Sequence, residues 1–282
     1  YFLNRDVVRA GPWKLMLKAR VAVGPKAGKL PLLFHLGEDL GETENVAEQH
    51  PEVVARLKAA VQAHRRDLRD HSRPVGKTLP AKDAPRVLIL GDSISMGYTR
   101  HVQDRLGWEM HVTRALSKNP RTGKMQYENC AGTDKGIAAL GRWLEQSDDG
   151  WDVIHFNFGL HDLKRVHPDS GKNSNDPSHP RQSELDEYEF QLAAITDRLL
   201  ATGAKLIFAT TTPVPEGVRP LRDVADAERY NEAAKRVMAA RGVTINDLYE
   251  VALPRLEKLQ NRRDVHFNAQ GSRALGNQVI QA

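Results

Sequence analysis

The feature that most constrains this chain is a short apolar run that stops at a glycine and continues into a serine. Residues 86–90 read Arg-Val-Leu-Ile-Leu, and Gly91-Asp92-Ser93 follows directly. An uninterrupted aliphatic run bounded by glycine predicts a strand that is buried on both faces, as in a parallel sheet. Ser93 is then expected at the carboxyl end of that strand, where a helix begins.

The same pattern repeats through the C-terminal two thirds of the chain. Predicted strands and predicted helices alternate there, with strands at 87–90, 152–158, 205–211 and 244–248 and helices at 95–106, 135–146, 184–200, 227–241 and 269–280. Such alternation predicts a three-layer α/β/α sandwich with a mainly parallel sheet, similar to the flavodoxin-like folds. Ligand and catalytic groups in such folds lie at the carboxyl ends of the strands.

A boundary is predicted at about residues 70–85, where three prolines and a glycine forbid a continuous helix. We therefore predict a small α+β segment over 1–72, a linker over 73–84 and the sandwich domain over 85–282. In the first segment, strands near Trp13 and Leu32 are expected to pair. A helix opened by Pro51 follows, with one apolar face formed by Val54, Leu57, Val61 and Leu68.

Charge and composition exclude several classes of protein. The net charge is +5, but residues 1–80 carry 14 Lys and Arg against 9 Asp and Glu, whereas the remainder carries 27 of each. No nucleic-acid-binding motif accompanies this excess, so we expect no nucleic-acid partner. No apolar run approaches the roughly 18 residues of a membrane span. One cysteine, Cys130, excludes an internal disulfide.

Three residues carry the chemistry that the sequence predicts. Ser93 follows the first strand of the sandwich, and Asp264 and His266 lie on one short segment near the other end of the chain. A serine hydroxyl becomes a nucleophile when a base removes its proton, and the base needs an acid that orients it. Ester hydrolysis is the leading hypothesis. Two structural alternatives stay open, namely Ser93 as a helix N-cap and His266 as a solvated surface residue.

Residues 84–282 resemble the SGNH hydrolases, the GDSL-type esterases and lipases, because four blocks occur in the family's order. These blocks are 91–95 (Gly-Asp-Ser-Ile-Ser), 128–133 (Glu-Asn-Cys-Ala-Gly-Thr), 156–163 (Phe-Asn-Phe-Gly-Leu-His-Asp-Leu) and 264–271 (Asp-Val-His-Phe-Asn-Ala-Gln-Gly). The resemblance implies an α/β/α fold of SGNH-hydrolase type, with no cofactor and no metal. It also implies a secreted or periplasmic location, which the N-terminus, beginning at Tyr1 without a signal-peptide layout, does not reveal.

The resemblance also implies the role of each site residue. Ser93 would be the nucleophile, His266 the general base and acid, and Asp264 the group that orients His266. The backbone N–H groups of Ser93 and Gly132, together with His161, would form the oxyanion hole. Two departures stand out: His161 replaces the family's oxyanion asparagine, and the family's aspartate, three residues before the histidine, is Arg263 here.

Residues 1–72 show a second resemblance, to the C-terminal subdomain of the type I sulfatases. It is carried by 11–15 (Gly-Pro-Trp-Lys-Leu) and by 33–47, which read Leu-Phe-His-Leu-Gly-Glu-Asp-Leu-Gly-Glu-Thr-Glu-Asn-Val-Ala. No Cys/Ser-x-Pro-x-Arg sequence occurs, so sulfatase activity is not expected. The resemblance suggests a sulfatase domain in a longer polypeptide and, for the esterase, O-deacetylation of a sulfated carbohydrate.

Other interpretations stay open beside this one. The domain could be a lipase or thioesterase, or a non-catalytic carbohydrate-binding domain in which His161 and the shifted Asp264 mark lost activity. A metal site at His161, Asp162 and His167 and a nucleophilic Cys130 are both disfavoured.

The polar segment 167–180 is interpreted either as a lid over the site or as a disordered insertion. Four cations in and around it could meet an anionic glycan or simply be solvated: Lys164, Arg165, Lys172 and Arg181.

Overall fold

The computed structural model describes residues 2–3, 6–17, 30–71 and 79–282, and the side chains of 6–17, 30–67 and 79–282. The described chain forms two compact units, Tyr1–Gly76 and Lys77–Ala282. The linker predicted for 73–84 lies partly outside the described residues, so the predicted domain bounds remain a proposal.

The N-terminal unit contains an antiparallel sheet in the order β1 (Phe2–Leu3), β2 (Val7–Ala10), β3 (Trp13–Met16) and β4 (Leu32–His35), followed by α1 (Pro51–His71). The predicted pairing of the strands near Trp13 and Leu32 is confirmed, with Trp13 opposite His35. Leu15 and Leu33 of the sheet are buried in one cluster with Leu57 and Val61 of α1. The side chain of Leu68, expected on the same face, lies outside the described residues.

The C-terminal unit alternates strands and helices. The strands are β5 (Arg86–Leu90), β6 (His111–Arg114), β7 (Leu116–Lys118), β8 (Met125–Tyr127), β9 (Val153–Phe156), β10 (Lys205–Ala209) and β11 (Thr244–Asn246). The helices are α2 (Ser93–Leu106), α3 (Thr133–Leu144), α4 (Leu185–Leu200), α5 (Asp226–Ala239), α6 (Leu248–Ala252), α7 (Leu256–Leu259) and α8 (Ala269–Gln281), with a 3₁₀ turn at Leu253–Arg255. A five-stranded sheet of order β11-β10-β9-β5-β6 is parallel throughout. The predicted α/β class with a parallel sheet is confirmed.

The strand order changes direction between β5 and β9. The chain passes from β5 to β6 in one direction and then returns through β9, β10 and β11 in the other. Because crossovers between parallel strands are right-handed, α2 covers one face of the sheet and α3, α4 and α5 cover the other. The contacts of α2 with α8, and of α4 with α3 and α5, agree with this arrangement. Ligands of doubly wound folds bind where the direction reverses, at the carboxyl ends of the strands.

The sheet and its helices share one apolar core. Leu88, Ile89 and Leu90 of β5 are fully buried, as the uninterrupted aliphatic run predicts. Burial of this kind contributes roughly 25 cal/mol per Å² of apolar surface removed from water. None of the helices in the described part of the chain combines the length and the apolar content that a bilayer crossing requires.

The structure contains elements that the sequence pattern does not predict. β6 is a short, half-buried edge strand of the sheet, and its sequence His-Val-Thr-Arg lacks an apolar run. The antiparallel pair β7–β8 lies outside the main sheet. The strand predicted at 244–248 ends at Asn246, because Asp247 caps a new helix by accepting a hydrogen bond from the Glu250 N–H.

Candidate active site

Ser93 is the first residue of α2, directly after the turn that ends β5. The N-cap is Asp92, whose Oδ1 accepts the Ile94 N–H at 2.8 Å. The alternative in which Ser93 caps the helix is therefore wrong, and its hydroxyl is free for another partner. Asp92 is buried, and this burial raises the pKa of its carboxyl, although the bond from Ile94 favours the ionised form.

The structure brings Ser93, His266 and Asp264 together across 173 positions of sequence. His266 Nε2 lies 2.8 Å from Ser93 Oγ, and His266 Nδ1 lies 2.6 Å from Asp264 Oδ1. Burial opposes ionisation of Asp264, but bonds from the His266 backbone N–H and imidazole lower the pKa of this carboxyl. An ionised carboxylate only accepts, so Nδ1 carries the ring proton and Nε2 can accept the proton of Ser93.

A local turn explains how Asp264 reaches Nδ1 from two residues before His266. Arg263, at the family's usual aspartate position, has φ of 56°, which is the left-handed region. The Asp264 N–H donates to the Asn261 carbonyl and the Asn261 N–H to the His266 carbonyl, at 3.2 and 2.9 Å. A left-handed residue reverses the chain sharply. This turn brings the carboxylate of Asp264, one position later than the family's aspartate, to the imidazole of His266.

The segment that carries His266 is anchored on both sides. Gln260 Nε2 donates to the Val265 carbonyl and to the Pro213 carbonyl, both at 2.9 Å. Asn268 accepts the Gln270 N–H as the N-cap of α8, and its amide donates to the Lys258 carbonyl. These bonds fix the direction of the imidazole, whose side chain remains about half exposed, at 47%.

Two backbone N–H groups point to an anion-binding site beside Ser93. Within the described part of the chain, the N–H groups of Ser93 and Gly132 have no acceptor. Gly132 is the N-cap of α3, and the preceding Ala131 has φ of 55°. Both N–H groups lie at helix starts, where the helix dipole favours negative charge.

Asp162 holds the loop of Gly132 in place. Its Oδ1 accepts the Thr133 N–H at 2.8 Å and the Thr133 hydroxyl at 2.5 Å, so it caps α3 from the neighbouring loop. Burial raises the pKa of Asp162 to about 6, although the bonds from Thr133 favour the ionised form. The loop that follows β9 is thereby joined to the loop that precedes α3.

We predict that Gly132→Ala lowers kcat/KM for an ester about a hundredfold. An added Cβ would lie 2.7 Å from Gln182 Nε2 and 2.9 Å from Asp162 Oδ1, so the loop must shift and the N–H with it. Gly141→Ala in the same helix is the matched control, since its Cβ meets nothing closer than Arg198 Nη2 at 3.6 Å. The control should keep its activity and gain about 0.5–1 kcal/mol of unfolding free energy. Equal activity of both variants would show that the Gly132 N–H has no part in the reaction.

His161 lies in the same site as a neutral imidazole. Burial lowers the pKa of its ring to about 3, and the charges of Lys164, Arg222, Lys135 and His266 act in the same direction. A neutral imidazole still carries one N–H donor. His161 can therefore supply the donor that asparagine supplies in the family, without a change of charge at ordinary pH.

Two buried arginines support the site, and sequence reasoning missed both. The fully buried Arg114 donates to the Gly91 carbonyl at 2.9 Å and the Glu128 carbonyl at 2.8 Å, which joins the turn before Ser93 to the loop before Gly132. Arg222 donates to the Leu160 carbonyl at 2.8 Å. Burial lowers the pKa of Arg222 to about 10, although Asp92 and Asp264 favour its charge. Neither arginine belongs to a motif, so only the tertiary structure reveals them.

The segment 167–180 is a hydrogen-bonded loop rather than a disordered insertion. The Val166 N–H donates to the Pro180 carbonyl at 3.0 Å, and the Leu221 N–H donates to the Ser174 carbonyl at 3.0 Å. Asn175 of this loop lines a groove of about 700 Å³ together with Arg219 and Asp264. The loop thus borders the candidate site.

Arg165 and Arg181, weighed above as glycan contacts, pair with carboxylates of the protein itself. Arg165 forms an ion pair with Asp223, and Arg181 binds Asp226 at 2.6 Å and Asp223 at 3.2 Å. Both side chains are at most 16% exposed, so their ion pairs stabilise the loop and its neighbours within the protein. Lys164 is half-buried and Lys172 is exposed.

Cys130 is fully buried, and this burial raises the pKa of its thiol to about 12. A thiol in that state is a poor nucleophile. Within residues 6–17, 30–67 and 79–282, no group of three or more His, Cys, Asp or Glu side chains is placed to hold a metal ion. Asp162, considered above as a metal ligand, instead accepts hydrogen bonds from Thr133, the first residue of α3.

Comparison with known proteins identifies the family of this unit. A sequence model of the GDSL-like lipase/acylhydrolase family matches residues 89–274. No curated protein sequence matches the chain. The family match does not reach residues 1–72, and nothing in the comparisons supports the resemblance of that segment to a sulfatase.

Solved structures show the same fold. The acetyl xylan esterase AlAXEase is 16% identical with a TM-score of 0.53, over 70% of this chain and 98% of that one. A lipase/acylhydrolase from Enterococcus faecalis is 19% identical with a TM-score of 0.54, over 70% and 94%. A catalytic mutant of Axe2, an acetylxylan esterase from Geobacillus stearothermophilus, is 14% identical with a TM-score of 0.54, over 73% and 95%. At these identities the likeness concerns the fold.

Proposed function

We propose that this chain, which belongs to the GDSL-like lipase/acylhydrolase family, is a serine esterase that hydrolyses esters through an acyl-enzyme. The observation that carries the proposal is the chain of contacts from Asp264 through His266 to Ser93, at 2.6 and 2.8 Å. The tautomer fixed by Asp264 leaves Nε2 as the acceptor for the serine proton. These are the relations that a nucleophile, its base and the group orienting that base require.

The reaction follows from this geometry in two halves. Ser93 Oγ attacks the ester carbonyl while its proton passes to His266 Nε2. The tetrahedral intermediate collapses, the carbon–alkoxide bond breaks, and His266 returns the proton to the leaving alcohol. Water then attacks the acyl carbonyl as His266 removes its proton, and collapse releases the carboxylic acid and restores the Ser93 hydroxyl.

Three donors are proposed to stabilise the negative charge on the carbonyl oxygen. They are the backbone N–H groups of Ser93 and Gly132 and the imidazole N–H of His161. Loss of one donor of this kind typically costs about 10²- to 10³-fold in kcat. Asp162, by capping α3, positions the Gly132 donor.

The finer proposal is that the ester is an O-acetyl group on a carbohydrate. The charges of Lys164, Arg222 and Lys135 act on His161, and a charged environment favours a short acyl group and a polar alcohol over a long alkyl chain. The groove beside Asp264 offers about 700 Å³ next to the site. Acetyl xylan esterases among the solved structures of this fold point to the same chemistry. That the sugar is sulfated rests on the sulfatase resemblance of residues 1–72.

A series of 4-nitrophenyl esters from acetate to decanoate, together with acetylated xylan, tests this proposal. We expect turnover of the acetate, with kcat/KM falling as the acyl chain lengthens, and release of acetate from the glycan. A maximum at the long chains would favour a lipase or thioesterase. Glycan binding without turnover of any ester would favour a non-catalytic domain.

We predict that His161→Ala lowers kcat/KM about a hundredfold and that His161→Asn restores most of it. Because burial lowers the pKa of His161 to about 3, its ring stays neutral above pH 4, and the acid limb of the pH profile above that value should not depend on His161. The His161→Asn variant should therefore keep the midpoint of that limb. A midpoint that moves in His161→Asn would identify His161 as the titrating group and remove it from the oxyanion hole.

A further inference from the structure

Arg114 is the last residue of β6, and its side chain is fully buried. Its backbone pairs with Ile89 of β5, and its guanidinium reaches α2, where Nη1 donates to the hydroxyl oxygens of Ser95 and Thr99 at 3.0 and 3.2 Å. Each hydroxyl donates its own hydrogen to a backbone carbonyl, so its oxygen can accept from Arg114. One half of the guanidinium is therefore fixed to the first two turns of α2, the helix that begins at Ser93.

The other half of the guanidinium joins the two segments that carry the backbone donors of the site. Arg114 Nη2 donates to the Gly91 carbonyl at 2.9 Å and to the Glu128 carbonyl at 2.8 Å. Gly91 lies two residues before Ser93, and Glu128 lies four residues before Gly132. Because a single nitrogen binds both carbonyls, the separation of these two segments depends on where that nitrogen lies.

Glu128 transmits its position to α3 through its side chain as well as along the chain. Its carboxylate binds Lys135 Nζ at 2.9 Å and accepts the Trp143 Nε1–H at 3.0 Å, and both of these residues belong to α3. Gly132 is the N-cap of the same helix. A displacement of Glu128 should therefore displace the Gly132 N–H as well.

Core stability alone does not account for an arginine at position 114. All four acceptors of its guanidinium are uncharged oxygens, and the Nε–H has no acceptor among the described residues. Burial lowers the pKa of Arg114, which reflects the cost of holding a charge there. An apolar side chain of similar length would avoid that cost. The planar fork of an arginine, in contrast, can bind oxygens of three segments at once.

We propose that Arg114 is a positioning residue of the oxyanion hole, whose guanidinium fixes the spacing of the Ser93 and Gly132 N–H groups so that both reach one carbonyl oxygen. This inference rests on the proposed esterase function. Donors stabilise the charge that develops on that oxygen only if they already point to it before the reaction. A donor that moves by about 1 Å can cost about a hundredfold in rate.

Two variants test the bridge. Arg114→Met keeps the approximate length of the side chain and removes the fork of donors. Arg114→Lys keeps the charge but provides a single nitrogen, which cannot serve the hydroxyls of α2 and both carbonyls together. Leu199→Ala is the matched control for lost core packing, because Leu199 is fully buried near the end of α4, which leads to the amino end of β10. All three variants should unfold at lower temperature than wild type.

We expect kcat for 4-nitrophenyl acetate to fall about a hundredfold in Arg114→Met and at least about tenfold in Arg114→Lys, with KM within about twofold of wild type. Phenylboronic acid adds to a catalytic serine and places a charged oxygen in the oxyanion hole, so its Ki should rise by a factor similar to the loss in kcat. Leu199→Ala should keep both constants. Unchanged kcat in the Arg114 variants, or an equal loss in Leu199→Ala, overturns the proposal. If Arg114→Met does not fold, Arg114→Lys is subject to the same criteria.

The double variant Arg114→Met/Gly132→Ala tests whether Arg114 acts through the Gly132 donor. Both changes displace the same N–H group, so the double variant should be about as slow as the slower single variant. Losses that multiply in the double variant would show that Arg114 acts elsewhere and would overturn the proposal.

The backbone of Gly132 also provides a measurement that needs no turnover. In protein that contains isotope-labelled glycine, the Gly132 amide resonance is assigned by its loss in Gly132→Ala. It should shift in both Arg114 variants and stay in place in Leu199→Ala. A resonance that does not move in the Arg114 variants overturns the inference whether or not the protein is active. Absence of aryl acetate turnover in wild type would instead remove the proposed function.

Discussion

Ser93→Ala is expected to lower kcat/KM for 4-nitrophenyl acetate by about 10⁴-fold or more. The substitution removes the atom that would form the acyl-enzyme, and the single cysteine cannot replace it. Cys130 is fully buried with its pKa raised to about 12. The small activity that remains would come from the oxyanion donors acting on water.

The fold should survive this change, because the cap of α2 is Asp92 and, among the described residues, the hydroxyl of Ser93 hydrogen-bonds with the imidazole alone. Thermal unfolding followed by circular dichroism should therefore show a midpoint close to that of wild type. Ser147→Ala, on the loop at the amino-terminal edge of the sheet, is the matched control and should retain full activity. Wild type should also be labelled at Ser93 by a serine-reactive phosphonate. Hydrolysis that persists in Ser93→Ala at the rate of wild type would end the serine esterase proposal.

His266→Ala is expected to cause a loss of similar size, about 10⁴-fold or more in kcat. Without Nε2 at 2.8 Å, no group accepts the Ser93 proton and none returns it to the leaving alcohol. Labelling of Ser93 by the phosphonate should slow in parallel, because the neutral hydroxyl is a weak nucleophile. Measuring both rates separates a missing base from a distorted pocket.

The double variant Ser93→Ala/His266→Ala makes this prediction sharper. Residues that act as one unit lose their contributions together, so the double variant should be no slower than Ser93→Ala alone. His111→Ala, whose ring hydrogen-bonds with the Ala81 carbonyl at the far edge of the sheet, is the control and should leave kcat unchanged. Additive losses in the double variant would show that His266 acts independently of Ser93.

The predicted fold agreed with the structure where the chain is buried and regular. The aliphatic run before Ser93 became β5, and the predicted strand at 205–211 became β10, which begins at the predicted residue and ends two residues earlier. The edge strand β6 and the β7–β8 hairpin went unpredicted, because exposed strands need no apolar run and so leave little periodic pattern.

Local chemistry was harder to predict than the elements. The sequence suggested that Ser93 could cap α2, yet the adjacent Asp92 does so. Asp162, weighed as a metal ligand, caps α3 across 29 positions of sequence. Short polar side chains can form many alternative hydrogen bonds, and their choice depends on which backbone groups the fold brings near them.

The sequence by itself determined the alternation of the buried strands with the longer helices, and with it the parallel sheet and the edge at which Ser93, His161 and His266 would lie. Hydrophobic periodicity specifies this level, because burial of an apolar face depends on local spacing along the chain. Only the tertiary structure decided that Asp264 reaches the imidazole from two residues away, that Arg114 joins the turns beside Ser93 and Gly132, and that His161 is kept neutral. These properties depend on how segments far apart in the chain contact and bury one another. Local sequence patterns therefore cannot predict them.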